Sequence, residues 1–376
     1  MNIAIDLRAL AGDRVSGVKI YLQNLLAALF RVDKKNHYFL WFNSAREPFP
    51  KSLLVPNSPR FKIIQTKFSN RFLNLNLGWR EKPKLDLLLA ELAGRPIELF
   101  WLPDPRPVAL SASCKLIATM HDLSPSRFPR FFSAKTRLWH KFLNPEKIAQ
   151  KADRILAVSD FTKSELENFW HIAPEKISTT PLAAKLSSQK SLPKNLPKRF
   201  ILALSTLEPR KNLTTLVSAF AELQKEHPGK IELLIAGQSD PKIFANSGIR
   251  KHEARSTKQI RFLGRVSEQE KAALLAAAEV FCFPSLYEGF GLPPLEAAAA
   301  GTPILAADLP PLRETLGNAA QFLPPQNRDA WRIALAKILA DSELRKKMGR
   351  AGKIQAQRFT WEKTARATLA AFEMLK

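Results

Sequence analysis

The chain has 376 residues, of which 45% are hydrophobic, so it is long enough for two packed domains, and intrinsic disorder is excluded. No apolar run approaches the roughly 20 residues that a membrane-spanning helix needs. Its 58 Lys and Arg against 34 Asp and Glu give a net charge of +24, of which residues 1–195 hold +15 (31 basic, 16 acidic), and this indicates an anionic partner: phosphate groups, acidic lipids or nucleic acid.

The opening segment MNIAIDLRAL enters an apolar strand pattern directly, without the basic and apolar regions of a secretory leader. The two cysteines, Cys114 and Cys282, both lie in apolar segments. Two cysteines in a chain of this length favour reduced core residues over a disulfide framework. We therefore expect a cytoplasmic protein.

The N-terminal half alternates strand and helix patterns. Apolar runs predict strands at 2–7, 37–42, 61–66 and 153–160, and a strand that ends in a polar turn at 114–125. Helical spacing of apolar residues follows the first strand in VKIYLQNLLAALFRV and the last in FTKSELENFW. Strands that alternate with helices indicate βαβ units and a parallel sheet.

A polar, proline-bearing stretch at 185–198 predicts a linker, and a second alternating series follows it. Strand patterns in this series lie at 200–205, 231–237, 260–266, 280–285 and 303–308. Residues 360–375 form an amphipathic helix pattern. We expect two doubly wound α/β domains, 1–190 and 191–355, and a C-terminal helical segment, 356–376, that packs back on the N-terminal domain.

The segment YEGFGLPPLEAAAAGTP carries two glutamates, Glu288 and Glu296, around a glycine-rich turn. The turn lies between a predicted strand and a predicted helix, where parallel sheets bind ligands. Gly289 and Gly291 allow the backbone to approach a ligand closely. Two fixed carboxylates are suited to binding the paired hydroxyls of two sugar rings. The alternative for Glu296 is a structural role in the first turn of the helix, where the macrodipole favours an acid.

The loop STLEPRKNL, residues 205–213, has the same setting, between a strand and a helix that we expect Asn212 to cap. Arg210 and Lys211 would add positive charge to the helix N–H groups, which suits a diphosphate, although a basic pair is also common in a solvated loop. In the first half, Gly17 precedes a helix and His121 ends a strand. Both are site candidates, with packing as the alternative for the histidine.

Together these stretches resemble the retaining glycosyltransferases of family 4. The resemblance rests on EGFGLPPLE, LEPRKNL and MHDLSP, and on the connecting segments ADRILAVSDFTKSEL and PPLRETLGNAAQFLPPQN. It implies the GT-B fold, in which two doubly wound Rossmann-like domains face a central cleft. The N-terminal domain would bind the acceptor, and the C-terminal domain would bind a nucleotide-sugar donor.

The resemblance also implies residue roles. Four side chains are expected to act in catalysis, by contacting the transferred sugar or neutralising the diphosphate: His121, Arg210, Lys211 and Glu288. Eight further residues are expected to bind the donor through its phosphates, sugar, ribose or base: Gly17, Arg265, Val266, Gly289, Phe290, Gly291, Leu292 and Glu296. Two departures from the family pattern are Ser205 and Thr206, where a glycine and an arginine are common, and the single glycine of the first loop.

The reaction implied is transfer of a mannose-like or glucose-like hexose from a UDP- or GDP-sugar to a glycan or lipid-linked acceptor, with retention, in cell-surface polysaccharide synthesis. No Asp-x-Asp pair is present, so we expect neither a metal nor another cofactor. A non-catalytic relative, another GT-B enzyme such as an epimerase, and a nucleic-acid-binding protein are the alternatives. No nucleic-acid motif supports the last, and we expect no nucleic-acid partner.

Residues 126–151 alternate cations with aromatic side chains, as in Arg127, Phe128, Lys135 and Trp139. This pattern is typical of a segment that binds an anionic membrane surface, and we expect a peripheral enzyme on the inner membrane face. The alternative is a half-buried helix with a solvated basic face.

Overall fold

The computed structural model describes residues 1–12, 17–50, 53, 55–187, 196–226, 231–237 and 259–376. The chain forms two compact units. Unit 1 is Met1–Leu182 together with Thr360–Lys376, and unit 2 is Ala183–Phe359. The predicted linker begins beside this boundary, and its residues 188–195 lie outside the described part of the chain.

Unit 1 contains a seven-stranded parallel sheet with the order β3-β2-β1-β4-β5-β6-β7. The strands are β1 Asn2–Asp6, β2 His37–Asn43, β3 Phe61–Thr66, β4 Leu99–Leu102, β5 Lys115–Met120, β6 Arg154–Ala157 and β7 Ile177–Thr179. In the central register Ile3 pairs with Tyr38 on one side and Leu99 on the other. Because helices cover both faces of such a sheet, its central strands are mainly apolar, as in Ile3, Ala4 and Ile5 of β1.

Unit 2 contains a six-stranded parallel sheet with the order β10-β9-β8-β11-β12-β13. The strands are β8 Phe200–Leu204, β9 Glu232–Ala236, β10 Ile260–Gly264, β11 Val280–Phe283, β12 Ile304–Ala307 and β13 Ala320–Leu323. Ile201 of β8 pairs with Leu233 of β9 and with Val280 of β11. The prediction of two doubly wound parallel domains is therefore confirmed.

Helices connect the strands, and short helical turns lie between several of them. In chain order the α-helices are α1 Gly17–Val32, α2 Asn70–Leu75, α3 Leu85–Ala93, α4 Ser124–Arg127, α5 Ala134–Leu143, α6 Pro145–Lys151, α7 Asp160–Trp170, α8 Leu213–Glu226, α9 Glu268–Ala277, α10 Leu292–Ala300, α11 Pro310–Leu316, α12 Arg328–Ala340, α13 Ser342–Ala356 and α14 Trp361–Glu373. A π-helical turn, Asn76–Arg80, continues α2. In the described part of the chain, none of these helices is both long and apolar enough to cross a membrane.

The C-terminal helix α14 belongs to unit 1. Thr364 donates a hydrogen bond of 2.6 Å to the carbonyl of Pro181, and Phe372 packs on Trp101 at 5.6 Å between ring centroids. Phe372 and Trp101 are fully buried. The helix thus completes the core of the N-terminal unit, although it follows the whole of unit 2 in the sequence.

Each sheet has one point where the chain reverses its direction of winding. In unit 2 the chain runs from β8 outward to β9 and β10 and then returns to β11 on the other side of β8. In unit 1 the same reversal separates β1 from β4. Because the connections on either side of such a point lead away from each other, they leave a crevice at the carboxyl ends of the strands, where α/β proteins bind their ligands.

Candidate functional site

The loops that follow β8 and β11 are joined at the reversal point of unit 2. The backbone N–H of Leu286 donates to the carbonyl of Arg210 at 2.8 Å, and the Arg210 guanidinium donates to the carbonyl of Tyr287 at 3.2 Å. Asn212 donates through its side-chain amide to the carbonyls of Pro284 and Pro325, at 3.0 and 2.7 Å. These bonds fix the basic loop against the glycine-rich loop.

Asn212 was predicted to cap α8 through its side chain. The residue does precede the helix, but with φ of 50°, in the left-handed region. Its side-chain oxygen accepts from the Thr215 hydroxyl at 2.9 Å, while its amide ties the two loops together. Asn212 therefore has two roles: it precedes α8, and its side chain holds the loop in place.

The central feature of this site is a buried ion pair. Lys211 Nζ lies 2.5 Å from Glu288 Oε1, and Arg210 Nη1 lies 3.3 Å from Glu288 Oε2. Lys211 is only 9% exposed and Glu288 only 8%. The sequence predicted these three residues as site candidates, and the structure brings them together.

The two partners of this pair shift each other's titration. Burial raises the pKa of Glu288, but the Lys211 and Arg210 cations outweigh this effect, so the pKa lies below its ordinary value. Burial lowers the pKa of Lys211, the Arg210 cation lowers it further, and the attraction of Glu288 only partly opposes them. Glu208 also pairs with Arg210, at 3.6 Å, so two cations face two carboxylates. An anionic ligand that draws the cations away from these carboxylates would meet two fixed positive charges in a buried site.

The glycine-rich turn presents backbone N–H groups beside this pair. Gly291 has a φ of +97° and immediately precedes α10. Among the described residues, no hydrogen bond is formed by the N–H groups of Phe290, Gly291 and Leu292. Phe290 itself is buried against Phe359, at 5.8 Å between ring centroids, so it offers its backbone to a ligand and its side chain to the core.

Replacing Gly291 with alanine is expected to destabilise unit 2 by roughly 2–4 kcal/mol, because its backbone lies in the left-handed region and the added Cβ would collide with the Leu312 side chain. Gly264 is a matched control, since its φ is +67° and no atom of the non-adjacent described residues lies within 4 Å of its Cβ position. Gly264→Ala should cost only the backbone strain, about 1 kcal/mol. Denaturant unfolding of both variants measures the difference, and equal losses would contradict the collision.

Glu296 lies in the second turn of α10, not in the first turn as the sequence predicted, so the helix macrodipole does not explain it. Only 3% of the residue is exposed, and its Oε1 accepts a hydrogen bond of 2.7 Å from Lys271 Nζ. Burial raises the pKa of Glu296 to about 7, although Lys271 opposes this shift. The carboxyl group can therefore change its charge near neutral pH.

Lys271 was not identified from the sequence. It lies on α9, which begins with a capping box between Ser267 and Glu270. Burial lowers the pKa of Lys271, but Glu296 and Glu268 outweigh it, so the net pKa is raised. The capping pattern could have predicted the helix, but no local signal shows that this lysine contacts a carboxylate 25 residues away.

Arg265 and Val266 follow the edge strand β10 and lead into α9. Arg265 is exposed and Val266 is half-buried. Two strand spacings separate β10 from β8 in the sheet order, about 10 Å. These two residues thus lie at the carboxyl edge that also holds the ion pair, but toward its periphery.

The candidates of unit 1 lie at the carboxyl edge of the N-terminal sheet. Gly17 is the exposed first residue of α1. One turn later Tyr21 makes an edge-to-face contact with His121, at 4.9 Å between ring centroids. His121 Nε2 is hydrogen-bonded to the carbonyl of Pro103 at 2.9 Å. The histidine is therefore fixed in orientation by α1 and by the loop after β4.

A second buried ion pair, which the sequence did not reveal, lies at the reversal point of unit 1. Arg8 Nη2 lies 2.6 Å from Asp6 Oδ2, and both side chains are almost fully buried. Arg8 also donates to the carbonyl of Pro107 at 2.9 Å. The pair connects the end of β1 with the loop after β4, as the Lys211 pair connects β8 with β11.

In the described residues, no cluster of three or more His, Cys, Asp or Glu side chains is arranged to hold a metal ion. Cys114 and Cys282 are buried and unbonded to each other, as the sequence predicted.

The fold places the protein in a structural class. The solved structure of sucrose-phosphate synthase from Thermosynechococcus elongatus superposes with a TM-score of 0.75, over 100% of this chain and 98% of that one, at 22% identity. Two Rossmann-like units with parallel sheets, each wound in both directions, define the GT-B class of glycosyltransferases.

Sequence comparison then gives the family. The model of the glycosyl transferases group 1 family matches residues 185–355, and that of glycosyltransferase family 4 matches residues 15–186. The O-antigen chain mannosyltransferase B of Escherichia coli is 30% identical over 276 residues, 69% of this chain and 71% of that protein. A phosphatidyl-myo-inositol mannosyltransferase of Mycobacterium leprae is 29% identical over 292 residues, 73% of each chain. The chain belongs to glycosyltransferase family 4, and its resemblance to that family is confirmed.

Proposed function

We propose that this glycosyltransferase transfers a hexose from a UDP- or GDP-sugar to a glycan or lipid-linked acceptor, with retention of configuration, in cell-surface polysaccharide synthesis. The mannosyltransferases among its relatives favour mannose as the sugar. The observation that carries the proposal is the buried cluster of Arg210, Lys211 and Glu288 at the reversal point of unit 2.

The cluster has the chemistry that the departure of a nucleoside diphosphate requires. Negative charge develops on the diphosphate as the bond to the sugar breaks, and fixed cations and N–H donors stabilise such charge strongly in a site that excludes water. Arg210, Lys211 and the N–H groups of the 290–292 turn are assigned to the diphosphate. Glu288 is assigned to the sugar hydroxyls, which can donate to its carboxylate when the lysine turns toward phosphate.

The remaining roles follow the family resemblance and the positions already described. Glu296 is assigned to the ribose hydroxyls, with Arg265 and Val266 beside the base. Gly17 is assigned to the loop that covers the phosphates, and His121 to the reacting sugar. The lack of an Asp-x-Asp pair supports a reaction without a metal ion, and unchanged turnover in excess EDTA would test this assignment.

Thermal unfolding with UDP, GDP and ADP at millimolar concentration tests the donor proposal. The nucleotide that matches the donor is expected to stabilise the protein by about 2.7 kcal/mol at a hundred times its dissociation constant. Glu296→Ala should reduce that shift, because the ribose contact is lost. If none of the nucleotides raises the midpoint, a non-catalytic relative becomes the better interpretation.

Association with an anionic membrane is a second proposal, and it rests on α5. This helix exposes Leu138 and Trp139, at 70% and 40%, among the basic residues Lys135, Arg137 and Lys141. Such a surface suits a peripheral enzyme on the inner membrane face. Flotation with phosphatidylglycerol vesicles at low salt should carry the protein upward, and salt should release it. Failure to float at low salt would refute the proposal.

A further inference from the structure

Unit 1 contains a cavity of about 500 Å³ that is not part of either reversal point. Its floor includes Leu77, Val108, Leu116 and Ile148. Four lysines line it, namely Lys84, Lys141, Lys147 and Lys151. We call it the lysine cavity; its volume lies in the range of about 300–1,000 Å³ that is usual for ligand sites.

The charges around the lysine cavity are not balanced. Lys84 and Lys151 share one carboxylate, Glu81, at 3.9 and 2.7 Å. Within the described ranges, no carboxylate lies at ion-pair distance from Lys141 or Lys147. In the described part of the chain, the cavity therefore combines an apolar floor with two cations, Lys141 and Lys147, that form no ion pair. This combination matches an amphiphile with an anionic head.

The exposed aromatic residue Trp79 lines the cavity. Trp79, which lines it, is 78% exposed, and Phe72, on the same helical segment, is 70% exposed. The segment rests on α5, because Gly78 leaves room for the Phe142 ring; a Cβ there would lie only 2.8 Å from Phe142 Cζ. Trp79 and Phe142 thus both line the cavity, and an exposed apolar side chain such as Trp79 at its edge is typical of an interaction site.

The cavity is separate from the edge of the sheet where His121 and Gly17 lie. Its residues Cys114 and Leu116 are at the amino end of β5, whereas His121 follows the carboxyl end of the same strand. A strand of six residues spans about 20 Å. A ligand in the lysine cavity is therefore not the sugar that reacts.

We propose that the lysine cavity binds one molecule of an anionic phospholipid, with its phosphate at Lys141 and Lys147 and its acyl chain on the apolar floor. Trp79 and Phe72 would then lie at the membrane interface, where aromatic side chains are favoured. The proposal goes beyond docking through surface charge, because it requires a shaped site that distinguishes a lipid from a free anion. It does not depend on which donor the enzyme uses.

Calorimetric titration of the full chain with dihexanoyl phosphatidylglycerol, below its micelle concentration, tests the proposal. Ala112→Trp fills the mouth of the cavity from an exposed position and leaves every charge in place. Lys141→Gln with Lys147→Gln removes two cations of the cavity from exposed positions. The matched control is Lys337→Gln with Lys347→Gln, which removes two exposed lysines from unit 2.

Saturable binding of one lipid is expected, weakened about tenfold or more by either cavity variant and unchanged by the control. Dihexanoyl phosphatidylcholine and inorganic phosphate should each bind far more weakly. Equal binding of phosphate, or undiminished binding by both cavity variants, would overturn the proposal. If Ala112→Trp does not fold, the lysine variant alone tests the proposal. If Ala112→Trp folds, loses lipid binding and still floats with vesicles, the lipid site is distinct from the general attraction of the protein surface to the membrane.

Discussion

Replacing Lys211 with methionine is expected to reduce kcat/KM for hexose transfer by about 10²–10³-fold, the usual effect of removing a group that stabilises developing charge. The same change should destabilise unit 2 by roughly 3–5 kcal/mol, because Glu288 would remain as a buried charge with a weakened partner. Lys211 is 9% exposed and bonded to Glu288 at 2.5 Å, so water cannot replace it readily. Steady-state kinetics and denaturant unfolding measure the two effects.

The double variant Lys211→Met with Glu288→Gln separates these effects. Removing both charges should restore most of the stability, since no buried carboxylate is left unpaired, whereas activity should stay low. Activity that returns together with stability would show that the pair only supports the fold. Nucleotide binding to the double variant, followed by calorimetry, would show whether Arg210 alone retains the diphosphate.

The contact between Lys211 and Glu288 shows how far the sequence leads. Both residues follow apolar strands, so their position at a carboxyl edge could be predicted from the sequence. Their contact depends on β8 and β11 being neighbours, although β9 and β10 intervene in the chain. The reversal of the winding direction sets this neighbourhood, and hydrophobic periodicity contains no information about it.

Short strands escaped prediction for a different reason. β4, β7 and β13 have four, three and four residues, and a strand of that length shows no clear period. β6, β11 and β12 also have four residues, but each lies in a longer segment, 153–160, 280–285 or 303–308, that was predicted as a strand. Thus the class of fold was accessible from the predicted strands, and β4, which lies next to β1 at the reversal point of unit 1, was not.

The glutamate of α10 illustrates a third limit. Its identity as a site candidate came from the motif, but its environment comes from tertiary packing. Lys271 approaches it from another helix, and burial leaves it only 3% exposed. The sequence instead placed Glu296 in the first helical turn, an error of about one residue in the helix boundary.

Nucleotide affinity is expected to rise with pH through about 7, where Glu296 loses its proton. An ionised carboxylate accepts hydrogen bonds from ribose hydroxyls about twice as strongly as a neutral group. Stability should move in the opposite direction. Between pH 4.5, the ordinary pKa of a glutamate, and about 7, the folded protein holds this proton and unfolding releases it. Stability therefore falls by at most roughly 3 kcal/mol as pH rises through that window.

Calorimetric titration with the nucleotide, from about pH 5.5 to about pH 8.5, measures its affinity as a function of pH. The four proteins to compare are the wild type, Glu296→Gln, Lys271→Met and Glu268→Gln. Glu296→Gln should bind the nucleotide about tenfold more weakly, and its affinity should no longer rise with pH through about 7. Any pH dependence that this variant retains comes from other groups, such as the phosphate of the nucleotide, and is common to all four proteins. Lys271→Met should move the midpoint to higher pH, because Lys271 lowers the pKa of Glu296. Glu268→Gln should move it to lower pH, because the Glu268 charge raises that pKa. Identical midpoints in the wild type, Lys271→Met and Glu268→Gln would exclude Glu296 as the titrating group. Shifts in opposite directions would show that Lys271 adjusts the charge of Glu296.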